Sequence, residues 1–82
     1  MWRINLDSIE KCRQLSNLCE KYKYNTEVDV SHSRYLVDGC SFLGVLSLLT
    51  NDVALFIRHE YDRCHAAHSF EDELKEIGGY KA

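Results

Sequence analysis

The chain has 82 residues, 45% of them hydrophobic, with a formal charge of -3 and a pI near 5.7. That length and composition fit one globular domain over residues 1–82, with room for a thin core but not for a deep enzyme cavity. The acidic balance lacks the basic stripe that nucleic-acid phosphates require, no apolar run is long enough to span a bilayer, and the opening Met-Trp-Arg-Ile-Asn-Leu is no signal-peptide core. These features predict a cytoplasmic protein with neither nucleic-acid nor membrane partners.

Trp2 to Leu6 alternates apolar and polar side chains and reads as a half-buried strand. Asp7-Ser8-Ile9-Glu10 then has the form of a capping box, Asp7 accepting from the first turn and Glu10 reaching back three residues. Ile9, Cys12, Leu15, Cys19 and Tyr22 recur at threes and fours, predicting a helix that ends near Lys23 with these residues on its apolar face. Thr26 to His32 alternates again, and the turn at His32-Ser33 leads to Arg34-Tyr35-Leu36-Val37, so a hairpin is expected. Asp38-Gly39 breaks that strand. Ser41 to Thr50 reads as a short apolar helix stopped by Asn51-Asp52, and Val53 to His59 as a fourth strand. Cys64, Ala67, Phe70, Leu74 and Ile77 are helically spaced within a last helix from about Asp62 to Ile77, stopped by Gly78-Gly79 ahead of a frayed tail. The order βαββαβα predicts an α+β open-faced sandwich, a four-stranded antiparallel sheet covered on one face by three helices.

Four cysteines, Cys12, Cys19, Cys40 and Cys64, accompany a good supply of large aliphatic residues and no secretory signal, which favours reduced thiols over a disulfide framework. His59, Cys64, His65 and His68 form the one cluster with ligand chemistry. A structural zinc site takes two tight, separated ligand pairs, whereas one helix supplies nearly all of these donors. Surface histidines are the preferred reading, and no metal or cofactor is expected.

Ser41-Phe42-Leu43-Gly44-Val45-Leu46-Ser47-Leu48 resembles the serine-centred signature of the HPr family, the histidine-containing phosphocarriers of the bacterial phosphoenolpyruvate:sugar phosphotransferase system. Each position keeps the family's residue class: serine, two large apolar residues, glycine, apolar, large apolar, serine, leucine. Upstream, Lys23-Tyr24-Asn25-Thr26-Glu27-Val28-Asp29-Val30 is similar to the end of the family's first helix and its second strand. The resemblance extends over essentially the whole chain, with a shortened connection at Asn51-Asp52, and implies the same sandwich fold.

The departure lies at the start of the first helix, where the family carries a phosphoacceptor histidine followed by arginine and proline. Counting back from Ser41 without gaps places Glu10 at the histidine position, Cys12 at the arginine position and Arg13 at the proline position. A carboxylate lacks the neutral imidazole nitrogen that attacks phosphoryl donors, so no catalytic residue is assigned. Glu10 is read either as a capping-box residue or as a fixed negative charge imitating the phosphorylated carrier.

Ser41 matches the family's regulatory serine and is a phosphorylation candidate, while also being a good helix N-cap. Phe42, Leu43 and Leu46 match the family's docking patch, the competing reading being that they are core. Together with Glu10 and Arg13 they form the expected protein-binding site, for phosphotransferase-system components or a transcriptional regulator. The expected function is thus a non-catalytic binding or regulatory module related to sugar transport. The alternatives are a phosphoacceptor modified at Ser41, or at Cys12 should Lys11 and Arg13 lower its pKa, and a structural domain that self-associates.

Overall fold

The computed structural model describes the backbone of residues 1–60 and 65–82 and the side chains of residues 1–60 and 69–82. In chain order the elements are β1 (Trp2–Asn5), α1 (Ile9–Lys21), β2 (Thr26–His32), β3 (Tyr35–Asp38), α2 (Phe42–Leu46), β4 (Asp52–His59), α3 (His65–Glu76) and β5 (Tyr80–Lys81). The strands form one antiparallel sheet in the order β3-β2-β4-β1-β5.

Strand alternation gives the sheet two unlike faces. Trp2 and Ile4, Val28 and Val30, and Val53 and Leu55 point into a core completed by Cys12, Leu15, Leu18 and Cys19 of α1, Val45 of α2, and Phe70 and Leu74 of α3. The opposite face carries Arg3, Glu27, Asp29 and Arg58; Arg58 bridges Glu27 and, at 3.1 Å, Asp29, while Arg3 pairs with Asp52 at 3.5 Å. Three helices on one face and polar side chains on the other make the chain an α+β open-faced sandwich.

Three local expectations are corrected. The tail is a fifth strand: Gly78 N–H donates to Lys75 O at 3.0 Å and Gly79 N–H to Leu74 O at 2.8 Å, the paired bonds of a Schellman turn with Gly78 at φ 105°. That turn sends Tyr80 and Lys81 alongside Arg3 and Trp2, and a Cβ on Gly79 would lie 2.6 Å from Leu74 Cγ. The N-cap of α1 is Ser8 rather than Asp7; its Oγ accepts from Lys11 N–H at 3.1 Å. The reach-back position therefore falls on Lys11, whose ammonium instead donates to Ile77 O, and Glu10 sits one residue short of it. Lastly, α2 ends at Leu46 rather than Thr50. The N–H groups of Leu48, Leu49 and Asn51 take carbonyls three residues back, Thr50 turns left-handed at φ 76°, and Thr50 N–H and Asn51 O then bond the main chain of Leu6. The closing helix is described from His65, so its expected start at Asp62 lies outside the described residues.

Candidate protein-docking site

The first turns of α1 and the start of α2 meet on the helical side of the sheet. Ser8 caps α1 and leaves Glu10 exposed in the first turn, where the helix dipole favours a negative charge. Among the described residues the Glu10 carboxylate makes no hydrogen bond or ion pair. One turn on, the Arg13 guanidinium lies over the Phe42 ring, 4.8 Å from its centre, and ties the two helices together on the outside. Between them Cys12 is fully buried, its Sγ 3.9 Å from Val45 O.

Ser41 has extended backbone angles (φ -88°, ψ 105°) and its Oγ accepts from Gly44 N–H at 3.2 Å, capping α2 while the side chain stays exposed. Gly44 lets the helix settle on β3, since a Cβ there would lie 3.2 Å from Val37 Cβ. Val45 is the one fully buried residue of α2. Leu43 points away, 76% exposed, and Phe42 and Leu46 lie half-buried at the margin of the core. The two readings therefore divide by residue: Leu43 lies on the surface, whereas Phe42 and Leu46 pack against the core and keep part of each side chain in solvent. Arg13 and Phe42 are brought into contact; Glu10 is exposed on the preceding turn of α1.

The three described thiols, Cys12, Cys19 and Cys40, carry little nucleophilic chemistry. Burial, reinforced by the negative charge of Asp7, raises the Cys12 pKa against a smaller opposing effect of a backbone hydrogen bond. Cys12 is thus a core thiol on the apolar face of α1, and its burial weighs against the alternative of an activated phosphoacceptor. Burial likewise pushes Cys19 up to about 12, helped by Cys40 and Asp38, and raises Cys40 beside Asp38 and Glu20. All three are free cysteines.

His59 lies across the sheet from Thr26, its Nδ1 2.8 Å from Thr26 Oγ1 and its ring edge-on to Phe70. Cys64 and the side chains of His65 and His68 lie outside the described residues, and among the described residues no three His, Cys, Asp or Glu side chains gather around a common centre. Likewise, no described helix is long and apolar enough to cross a membrane.

Two features escaped the sequence reading. The Arg13–Phe42 contact joins residues 29 positions apart that no periodicity links. The exposure of Tyr35 and Leu36 on β3 had a visible signal: Tyr35-Leu36-Val37 breaks apolar-polar alternation, as happens where a strand leaves apolar residues outside the core. No protein-family model matches the chain, and neither a curated protein nor a solved structure matches it.

Proposed function

We propose that this chain is a non-catalytic, HPr-like binding or regulatory module that docks a protein of the sugar phosphotransferase system, or a transcriptional regulator linked to it, through α2 and the start of α1. The observation that carries the reading is the exposure of Leu43 at the first turn of α2, beside a Phe42 ring covered by Arg13. An apolar side chain in solvent, a half-buried aromatic ring and a guanidinium are the parts from which a small interface hot spot is built. Glu10, at the position of the family's phosphoacceptor histidine, supplies charge without a nucleophilic nitrogen, and the buried thiol of Cys12 offers no substitute.

Modification at Ser41 is a second reading, favoured by the exposure of its hydroxyl. A phosphate there would add about -1.5 to -2 charges next to the docking residues and would alter partner choice. Intact-mass measurement separates the readings. After incubation with phosphoenolpyruvate and the system's general phosphotransferase enzyme, the expected mass is unchanged; a gain of one phosphate would overturn the non-catalytic reading. With ATP and the family's serine kinase, phosphate on Ser41 would establish the second.

A further inference from the structure

Among the described residues the sheet has two unpaired edges, β3 and β5, and they differ. β5 consists of Tyr80 and Lys81 alone, a short edge ending in a charge, which is how sheets commonly avoid pairing with other chains. β3 is longer, and its Tyr35 and Leu36 are 66% and 62% exposed. The β2–β3 hairpin closes on the pair His32–Tyr35 around a two-residue loop with Ser33 at φ 56°. In such a hairpin the closing pair exchanges hydrogen bonds, and the pattern alternates from there. The main-chain groups of Tyr35 and Val37 therefore face β2, and those of Leu36 face outward.

The side chains of this edge are self-complementary under a two-fold axis. An antiparallel pairing of two β3 strands centred on Leu36 sets Leu36 against Leu36 of the second copy and Tyr35 against Val37, and brings Arg34, the turn residue just before β3, beside Asp38 on both sides. Asp38 has a particular need for that cation. It stands directly across from Asp29 on the open face, a like-charge pair. Asp29 is compensated by Arg58 at 3.1 Å, whereas among the described residues the Asp38 carboxylate has only the N–H of Cys40, at 2.9 Å, and no cation. Arg34, in turn, makes no ion pair among the described residues.

We infer that the β3 edge is a homodimerisation surface, on which a second copy of this chain pairs antiparallel about Leu36, with Arg34 of each copy on Asp38 of the other. This surface uses none of the residues assigned to partner docking, although it adjoins them where Gly44 of α2 packs on Val37. A short edge pairing is a small interface, and its self-association falls in the weak range.

Charge exchange tests it. Sedimentation velocity over about 10 µM to about 1 mM shows a monomer–dimer equilibrium for the unaltered chain. In R34E both pairs become acid against acid, and in D38K both become base against base. Each variant alone dissociates about a hundredfold more readily. Mixed in equal amounts, the two variants regain opposite charges at both pairs and form a heterodimer at concentrations where each alone is monomeric. That recovery also shows that both variants are folded. A monomeric unaltered chain throughout the range would overturn the inference. So would variants that dimerise as well as the unaltered chain, or a mixture that stays monomeric.

Discussion

α1 and α2 pack against each other on one face of the sheet, yet they dispose of their apolar residues in opposite ways. Over thirteen residues α1 turns Cys12, Leu15, Leu18 and Cys19 fully inward and presents mostly polar side chains to solvent. α2 is only five residues long, little more than one turn, and nearly all of it is apolar. One turn has a single inward direction, which Val45 takes, so Leu43 is left outside and Phe42 and Leu46 lie at the margin. α1 thus builds the core, while α2 joins that core to an exposed apolar surface.

The largest expected effect sharpens this contrast. Leu15→Ala removes a fully buried side chain from α1 and lowers unfolding free energy by about 2–5 kcal/mol in chemical denaturation. Leu43→Ala in α2 stays within about 0.5 kcal/mol of the parent. Similar losses for the two would break the comparison. The caps come next. Ser8→Ala costs about 1 kcal/mol because Lys11 N–H loses its acceptor, whereas Asp7→Ala, away from the capping position, changes stability by less than about 0.5 kcal/mol.

The smallest effect concerns the side of α1 away from α2. There the Lys21 ammonium donates to Glu73 of α3 at 2.8 Å and the Tyr22 hydroxyl donates to the same carboxylate. These two donors, Lys21 first, hold the Glu73 pKa below its ordinary value of 4.5. The unfolded chain then binds the proton more tightly, so this contribution is present above pH 4.5 and is lost as pH falls through the lower, folded value. In thermal unfolding followed across pH, E73Q flattens that acid limb by a small amount, since the pair is partly exposed to solvent. An unchanged acid limb would show that the α1–α3 contact contributes nothing there.

Element order was legible in the sequence because the core follows simple periods. Alternation marks β1 and β2, threefold and fourfold spacing marks α1, and the apolar run from Val53 after the break at Asn51-Asp52 marks β4. Ile9 fitted that spacing but is 54% exposed, since it is the first helical residue and lies beyond the core's reach. β5 was not legible: Tyr80-Lys81 is too short for a pattern, and its pairing depends on the Schellman turn at Gly78 and Gly79. The length of α2 was equally hidden, because its end is fixed by main-chain bonds between Thr50, Asn51 and the distant Leu6. At the proposed docking site, the sequence singles out Phe42, Leu43 and Arg13. Which of them would be in solvent depended on the depth of α2 over β3, set by the approach of Gly44 to Val37.

The most direct test of docking through α2 is a nuclear magnetic resonance titration of the isotopically labelled chain with the general phosphotransferase enzyme. The predicted result is perturbed resonances clustered at Glu10, Arg13 and residues 41–46, and lost in L43E while its unbound spectrum remains that of the folded chain. Perturbations confined to the open face of the sheet, or a response that L43E leaves intact, would contradict the account.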